Sequence, residues 1–353
     1  MIVTALEVVG GIALVCLIFL DVFASIIVPR PVGSTFRLSS QFNRFAWPIW
    51  RRIGSSRRSE RSRETYLGIF APAAIIVSFA LWLVGLIVGY ALLVLALSLS
   101  IDPRPLGFGD ALYCSSTWLT LGHGLCVPIG GVARFVSIVA ASSGLGTFAI
   151  VVAYLFLLFG SFQRRENFVI VLDASAGAPP SGIRILETHV RLGMRGDLKR
   201  LFADGQRWAA EILETHLAYP MLGYFRSTHR DESWISALGA MLDAATLIVT
   251  AVKAESGDAG QARLMVDVGT HLSEDLCRYF RIPAVREPGI QRDEFESVLE
   301  RLARAGYRLN DREVAWRFFR NLRGKYAMPL ERMATYWAIP SALWMTQGRS
   351  ARH

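Results

Sequence analysis

The residues best suited to chemistry form one short segment, Thr120-Leu121-Gly122-His123-Gly124. Its two glycines permit backbone conformations that most residues rarely adopt, so successive carbonyl groups can turn toward one axis. Rings of carbonyl oxygens from four subunits can replace the water shell of an ion. The segment therefore predicts a cation site built from main-chain oxygens.

A short, semi-apolar helix beginning near Asp110 is predicted immediately before this segment. Asp110 would complement the helix dipole at its N-terminus, and the negative C-terminal end would face the cation. Irregular backbone at membrane depth is tolerated only where it lines a cavity or is buried in protein. We therefore predict that the segment lines a pore.

Three apolar runs accompany the segment, and each is long enough for a membrane span, which needs about 20 residues. They are Ile2 to Val28, with Glu7 and Asp21 inside it, and the charge-free runs Thr65 to Ile101 and Phe135 to Gln163. A signal peptide is the alternative for the first run, but no positive region precedes it. An acid inside a span is a functional candidate, so Asp21 is predicted to have a role or a buried partner, unless it reaches the interface.

Arginine distribution predicts the orientation of these spans, since cytoplasmic loops carry the excess of basic residues. Nine arginines lie between Arg30 and Arg63, but only Arg104 and Arg134 lie between Asp102 and Arg134. The chain is therefore predicted to be a multi-pass protein of the cell (plasma or inner) membrane. Its N-terminus would lie outside, and residues 30–64 and everything after 164 in the cytoplasm.

Residues 66–164 resemble the potassium-channel pore family, in its simple two-span bacterial form with an extra N-terminal span. The family filter Thr-Val-Gly-Tyr-Gly is matched by Thr120-Leu121-Gly122-His123-Gly124. Pro128, Arg134 and Gly144 fall at the family's positions after the filter, at the start of the inner helix and at its hinge. The resemblance implies a homotetramer in the lipid bilayer that holds potassium or other monovalent cations in its filter and needs no other cofactor.

The same resemblance assigns roles to neighbouring residues. Thr120 would complete the innermost ion site with its hydroxyl, and Tyr113 and Thr117 would support the filter by meeting the side chain of His123. The inner helix would bend at Gly144. Spacing of three to four residues predicts a pore-facing, apolar gate on that helix, made of Leu145, Phe148, Val152 and Phe156.

Three departures from the family leave the function open. His123 replaces an aromatic residue, Leu125 replaces the usual aspartate, and Leu119 stands where a second threonine is common. The alternatives are a non-selective cation channel and a membrane-anchored sensor or scaffold with a degenerate pore. Because the pKa of histidine is about 6.5, external acid is a further candidate regulator of the pore.

The basic loop and the cysteines have two interpretations each. Leu38, Phe42, Phe45, Ile49 and Ile53 recur at helical spacing, which favours an interfacial helix with Trp47 and Trp50 at headgroup depth; an irregular linker is the alternative. The four cysteines show no metal-like spacing and are predicted to be small core residues rather than a disulfide framework. The net charge is +9, and many of the arginines that supply it sit beside apolar spans. A membrane surface rather than nucleic acid is therefore the expected partner.

The sequence of residues 165–353 predicts a mostly helical domain and indicates no ligand for it. Phe168 to Leu172 is predicted as a short strand, residues 178–182 as a linker, and helices near 183–217, 233–253, 260–279, 291–305 and 311–323. Residues Tyr219 to Trp234 are predicted to contact another subunit. A histidine and acid cluster could hold a metal, but solvated side chains are the preferred interpretation, so no metal site is predicted: His189, His216, His229, Glu187, Glu211, Glu214 and Asp231.

The predicted fold class is an all-α membrane protein. Three transmembrane helices, a re-entrant pore helix with its filter loop, and a mostly helical cytoplasmic C-terminal domain make up the chain. The predicted divisions are 1–29 for the first span, 30–64 for the basic loop, 65–163 for the pore module and 164–353 for the cytoplasmic domain. No nucleophile–base pair, phosphate loop or metalloprotease motif occurs, so no catalytic residue is predicted and the chain is not expected to be an enzyme.

Overall fold

The computed structural model describes residues 2–27, 38–120, 126–227, 232–253, 256–283, 285–339 and 344, and most of these are helical. Within these residues the two strands, β1 (Ile101–Asp102) and β2 (Val127–Pro128), pair antiparallel. The chain divides into an N-terminal unit, residues 1–159, and a C-terminal unit, residues 160–353. The predicted helical fold class is confirmed.

The helices of the N-terminal unit are α1 (Ile2–Val22), α2 (Leu38–Ser55), α3 (Glu60–Gly68), α4 (Phe70–Ala96), α5 (Phe108–Leu119) and α6 (Gly131–Ala176), which continues into the C-terminal unit. Among the described residues, three helical stretches are long and apolar enough to cross a membrane: Ile2–Ile26, Glu60–Ala96 and Gly131–Ala176. Each predicted span is thus confirmed as an apolar helix of sufficient length.

Glycines bring α1 and α4 close together. A Cβ added at Gly11 would lie 2.8 Å from the carbonyl oxygen of Gly89, and one at Gly85 would lie 2.6 Å from Cδ1 of Ile18. Small residues are favoured between membrane helices because they let the backbones approach. The α1–α4 pair therefore depends on glycine packing.

Helix α2 is amphipathic and leaves its apolar stripe exposed at Phe45, Ile49 and Ile53. A helix therefore replaces the alternative of an irregular linker over residues 38–55. Trp47 is buried against Phe70, with ring centroids 4.9 Å apart, and its position at headgroup depth stays a prediction.

The C-terminal unit contains α7 (Gly182–Arg191), α8 (Leu198–Ala218), α9 (Trp234–Thr250), α10 (Ser256–Phe280), α11 (Arg292–Arg304), α12 (Arg312–Arg323) and α13 (Ala327–Trp337). Helix α9 is its core element, and sixteen of its seventeen residues are buried. Ser233 caps this helix, since its Oγ accepts a hydrogen bond from the backbone N–H of Ser236 at 2.9 Å.

Two expectations for the C-terminal unit are wrong. Residues Phe168 to Leu172 are helical within α6, where Val169 and Leu172 are buried. The stretch 183–217 is two helices, because Gly193 with a φ of +70° follows the end of α7. Tyr224 and Phe225 are buried in this chain, and the contact of residues Tyr219 to Trp234 with another subunit stays a prediction.

Candidate functional site

The segment that carries the predicted cation site begins and ends at one place in the N-terminal unit. Ile101 pairs with Pro128 and Asp102 with Val127, and the N–H of Ile129 donates to the carbonyl of Ser100 at 2.9 Å. The strand pair therefore holds the two ends of residues 103–126 together. The chain leaves β1, forms α5, and returns to β2 beside its point of departure.

Helix α5 starts as the sequence predicts. Asp110 lies in its first turn, and its Oδ2 accepts a hydrogen bond from the N–H of Leu106 at 2.9 Å. A carboxylate at this end also complements the helix dipole. The negative end of the dipole therefore lies at Leu119, directly before the glycine-containing segment.

Helix α5 packs against α4, and the end of α5 meets α6 at Gly144. Oγ of Ser115 donates to the carbonyl of Ile87 in α4 at 2.9 Å. The hydroxyls of Tyr90 in α4 and Ser143 in α6 lie 2.6 Å apart. Buried side chains of the three helices form one core around these contacts, including Leu86, Ala91, Ala111, Leu119 and Ala140.

A disulfide joins α5 to the returning chain. Cys114 and Cys126 are bonded, with their Cα atoms 5.5 Å apart, and Nε1 of Trp118 donates to the carbonyl of Cys126 at 3.0 Å. The prediction of four separate core cysteines is therefore wrong for this pair, because the fold brings the two positions together across the loop. Cys16 and Cys277 are free thiols.

The predicted filter belongs to the loop of chain that the disulfide closes between Cys114 and Cys126. Thr120 is exposed at the C-terminal end of α5, and its Oγ1 donates to the carbonyl of Ser116 at 2.7 Å. Leu121, Gly122, His123 and Gly124 lie outside the described residues. Their carbonyl orientation therefore stays a prediction.

The predicted filter supports, Tyr113 and Thr117, are one helical turn apart on α5. Tyr113 is half exposed, and Oγ1 of Thr117 donates to the carbonyl of Cys114 at 2.8 Å. Their contact with His123 stays a prediction, because His123 is not among the described residues.

Gly144 is the point where α6 meets the end of α5. A Cβ at this position would overlap the carbonyl oxygen of Leu119. A glycine is therefore required here for close packing, whether or not the helix bends. A Cβ at Gly146 would meet no atom within 4 Å, so the requirement belongs to Gly144 and not to its neighbour.

The predicted gate residues face outward from the single chain. Leu145, Phe148 and Phe156 are exposed, and Val152 is half-buried. The alternative, packing against residues 65–101, does not describe the three exposed side chains. Their position beside a pore axis stays a prediction.

Asp21 has a buried partner. Its side chain is 2% exposed, and its Oδ2 accepts a hydrogen bond from Nε1 of Trp82 in α4 at 2.6 Å. Of the two sequence interpretations, the buried partner therefore describes Asp21 better than a side chain that reaches the interface. The contact links α1 to α4 one turn beyond the glycine contacts.

The histidines and acids of the C-terminal unit are engaged separately. Both carboxylate oxygens of Glu187 accept from Arg301, at 2.9 and 2.7 Å, and Nδ1 of His189 contacts the carbonyl of Ile185. Among the described residues, no group of three His, Cys, Asp or Glu is placed to hold a metal. His229 and Asp231 lie outside them.

A buried polar cluster that the sequence did not indicate surrounds Arg165. Its guanidinium donates to the carbonyls of Leu222 and Phe225, each at 2.9 Å, and to Glu166 at 3.0 Å. Nε2 of His216 lies 3.3 Å from the same guanidinium. Burial first, and then the charge of Arg165, lower the pKa of His216 well below its usual value.

Comparison with known proteins supports the membrane assignment and adds no function. No protein-family model matches the chain, and no solved structure does. A segment of 145 residues is 25% identical to the uncharacterized membrane protein YdjJ of Bacillus subtilis (strain 168). The match covers 41% of this chain and 42% of that relative, so less than half of the relative's length is spanned. With its three long apolar helices, the chain is a helical membrane protein.

Proposed function

We propose that this chain is one subunit of a homotetrameric cation channel of the potassium type. The observation that carries the proposal is the excursion between β1 and β2. A short helix there ends at Leu119, directly before Thr120-Leu121-Gly122-His123-Gly124 in the sequence, and the negative end of a helix favours a cation. A segment that enters and returns at one end fits a re-entrant pore loop.

One loop per chain supplies a quarter of a carbonyl ring, so the proposal needs four chains around one axis. The exposed side chains of Leu145, Phe148 and Phe156 fit this requirement, since the described residues of their own unit leave more than half of each uncovered. In the proposed tetramer they would line the axis. Large apolar side chains in such a ring can close a pore by excluding water.

The disulfide supports the proposed orientation independently of the arginine count. Disulfides persist in oxidising compartments and are rare in the cytoplasm. The bonded pair Cys114–Cys126 therefore fits a pore loop on the outer side of the membrane. The N-terminus would then also lie outside, and the C-terminal unit in the cytoplasm.

The first test is assembly and flux. Mass photometry in detergent should show a tetramer, and vesicles reconstituted with the protein should pass potassium at least as well as sodium. Gly122→Ala should abolish the flux, because it restricts the backbone that turns the carbonyls. A tetramer with no flux of either ion would support the scaffold alternative. Of the conducting outcomes, faster passage of potassium supports the potassium-type channel, and equal passage of both ions supports the non-selective one.

The gate is tested by single cysteines at Val152 and Phe156, made in a chain whose free Cys16 and Cys277 are replaced by serine. A water-soluble thiol reagent applied from the cytoplasmic side should block the current at both positions. Current that persists after complete modification would place these residues away from the pore.

Acid sensitivity is tested at His123, the residue that replaces the aromatic side chain of the potassium-channel filter. Four imidazolium charges around one axis would repel each other and the permeating cations, so external acid should reduce conductance. Currents of the wild type and His123→Tyr are compared from about pH 8 to about pH 5, on either side of the usual histidine pKa. An identical response of both proteins would assign the effect to another group.

A further inference from the structure

A basic groove lies on the C-terminal unit between residues 285–288 and the second half of α12. Its volume is about 690 Å³, and none of the described residues that line it is an aspartate or a glutamate. The side chains that define the basic groove are those of Arg286, Pro288, Arg317, Arg320, Asn321 and Lys325.

The charges of the basic groove are largely uncompensated. Arg286 pairs with Glu274 at 3.3 Å, but no carboxylate in the described part of the chain pairs with Arg317, Arg320 or Lys325. Surface arginines elsewhere in the unit do have such partners, for example in the pairs Arg263–Asp267, Arg278–Asp275 and Arg312–Glu296. The groove therefore brings together three cationic side chains, Arg317, Arg320 and Lys325, that no carboxylate of the described residues neutralises.

The two sides of the basic groove, residues 285–288 and α12, are joined by contacts of Arg323. Arg323 donates from Nε to Oδ1 of Asp243 at 2.9 Å and from NH1 to the carbonyl of Pro288. A Cβ added at Gly324, the residue that follows α12, would lie 3.6 Å from the carbonyl carbon of Glu287 and 3.7 Å from the nitrogen of Pro288, so the two segments approach closely there. A site whose shape is set before binding loses less entropy when a ligand binds.

The helix dipole explains only part of this arrangement. Cations near the C-terminus of a helix are stabilised by its dipole, and that accounts for Arg320 and Lys325. Arg317 lies in the middle of α12 and Arg286 lies outside any helix. Their convergence on the same groove requires another reason.

We propose that the basic groove binds an anion carrying two or more phosphate groups. Guanidinium forks match phosphate oxygens in geometry and charge, and the amide of Asn321 adds a neutral donor. Phe318, also part of the lining, is 51% exposed and offers an apolar surface to whatever the phosphates are attached to. The ligand is either a soluble phosphorylated molecule or a phosphorylated lipid headgroup, and the proposal does not depend on whether the pore conducts.

The test uses the purified full-length protein in detergent and inorganic tripolyphosphate as probe, measured by titration calorimetry. The double variant Arg317→Gln/Arg320→Gln should weaken binding by about tenfold or more, since two charge-assisted contacts are lost. The matched control is Arg191→Gln/Arg304→Gln. It removes the same charge from a second arginine-lined cavity that contains Glu187, and it should change affinity by less than about twofold, as expected for a distant, screened charge.

Competition identifies the source of the phosphates. The titration is repeated in nanodiscs of phosphatidylcholine with and without phosphatidylinositol bisphosphate. Weaker tripolyphosphate binding in the second disc supports a lipid headgroup, and unchanged binding supports a soluble ligand. The proposal is overturned if the wild type shows no saturable binding, or if both double variants lose affinity equally.

Discussion

Helices α4 and α9 are both apolar, but their surroundings differ. Sixteen of the seventeen residues of α9 are buried within the C-terminal unit. Of the 27 residues of α4 only eleven are buried, and large side chains such as Ile76 and Val84 are exposed. In water the apolar side chains of α9 have to be buried, whereas the exposed apolar side chains of α4 can be covered by lipid or by a second subunit. Apolar content alone therefore does not distinguish a core helix from a span.

The contacts that stabilise each unit also differ in kind. The N-terminal unit is held by close glycine packing, a disulfide, and single hydrogen bonds such as Asp21–Trp82. The C-terminal unit buries ion pairs, of which Asp243–Arg323 is the most enclosed across separate helices. Breaking a contact of each kind should therefore have effects of different size.

The largest effect is expected from Asp243→Ala. Asp243 accepts from Arg323 at 2.9 Å and from the hydroxyl of Tyr326 at 2.8 Å. Burial alone would lower the pKa of Arg323, and the charge of Asp243 raises it. In the variant the arginine would still be charged, because its ordinary pKa lies far above neutral pH, and it would have lost its carboxylate partner. Removing one partner of a buried pair costs about 3–5 kcal/mol, which hydrogen exchange of α9 in the full chain would measure.

The control for this variant is Asp267→Ala, which breaks the surface pair with Arg263 at 3.0 Å. Both of those side chains are about half exposed, so the cost should be at most about 1 kcal/mol. If the two variants lose equal stability, burial of the Asp243–Arg323 pair is not what stabilises the C-terminal unit.

The second effect concerns the N-terminal unit. Replacing Cys114 and Cys126 by serine opens a loop of sequence separation 12, and a disulfide over a loop of about 15 residues contributes about 3 kcal/mol. The midpoint of thermal unfolding in detergent should fall, and a dithiol reductant should lower the wild type to the same value. The serine variant of the free cysteines 16 and 277 should keep its response to reductant.

The third effect compares two glycines of α6. Gly144→Ala would place a methyl group on the carbonyl of Leu119, whereas Gly146→Ala would meet open space. Overpacking costs about 1–3 kcal/mol, so only the first variant should unfold at a lower temperature and lose flux. Equal stability of the two variants would show that α5 can move away from α6 at no cost.

The sequence predicted features that rest on long patterns. The three spans follow from runs of apolar residues, and the start of α5 follows from Asp110. The end of α6 does not follow from such a pattern. Arg164 and Arg165 end the apolar run, but the helix continues to Ala176. Long patterns therefore locate elements better than they locate their ends.

Features that depend on contacts between distant residues were missed. The bond between Cys114 and Cys126 requires the return of the chain at β2, which no local spacing reveals. Helix α13 was not predicted, and Pro329 in its first turn interrupts the helical pattern there. Residues 168–172, predicted as a strand, lie within α6, where tertiary packing overrides the strand preference of the β-branched residues Val169, Ile170 and Val171.

The smallest effect is a loss of stability of the C-terminal unit in acid, carried by His216. Nδ1 of its ring lies 2.9 Å from the carbonyl of Ile212, and Nε2 faces the guanidinium of Arg165; Trp234 covers the ring at 5.0 Å between centroids. The folded unit therefore holds His216 neutral, with a pKa lowered by burial and by Arg165.

The unfolded chain restores an ordinary histidine, with a pKa of about 6.5. Below that pH the unfolded state binds a proton that the folded state excludes, so the free energy of unfolding falls as pH falls, by at most about 1.4 kcal/mol per pH unit. Above it, His216 contributes no pH dependence. Hydrogen exchange of α8 and α9 between about pH 7.5 and about pH 5.5 should show this slope in the wild type, and a smaller one in His216→Gln. The control is His271→Gln, at a side chain that is 63% exposed, and it should keep the wild-type slope. An unchanged slope in His216→Gln would mean that the proton binds elsewhere.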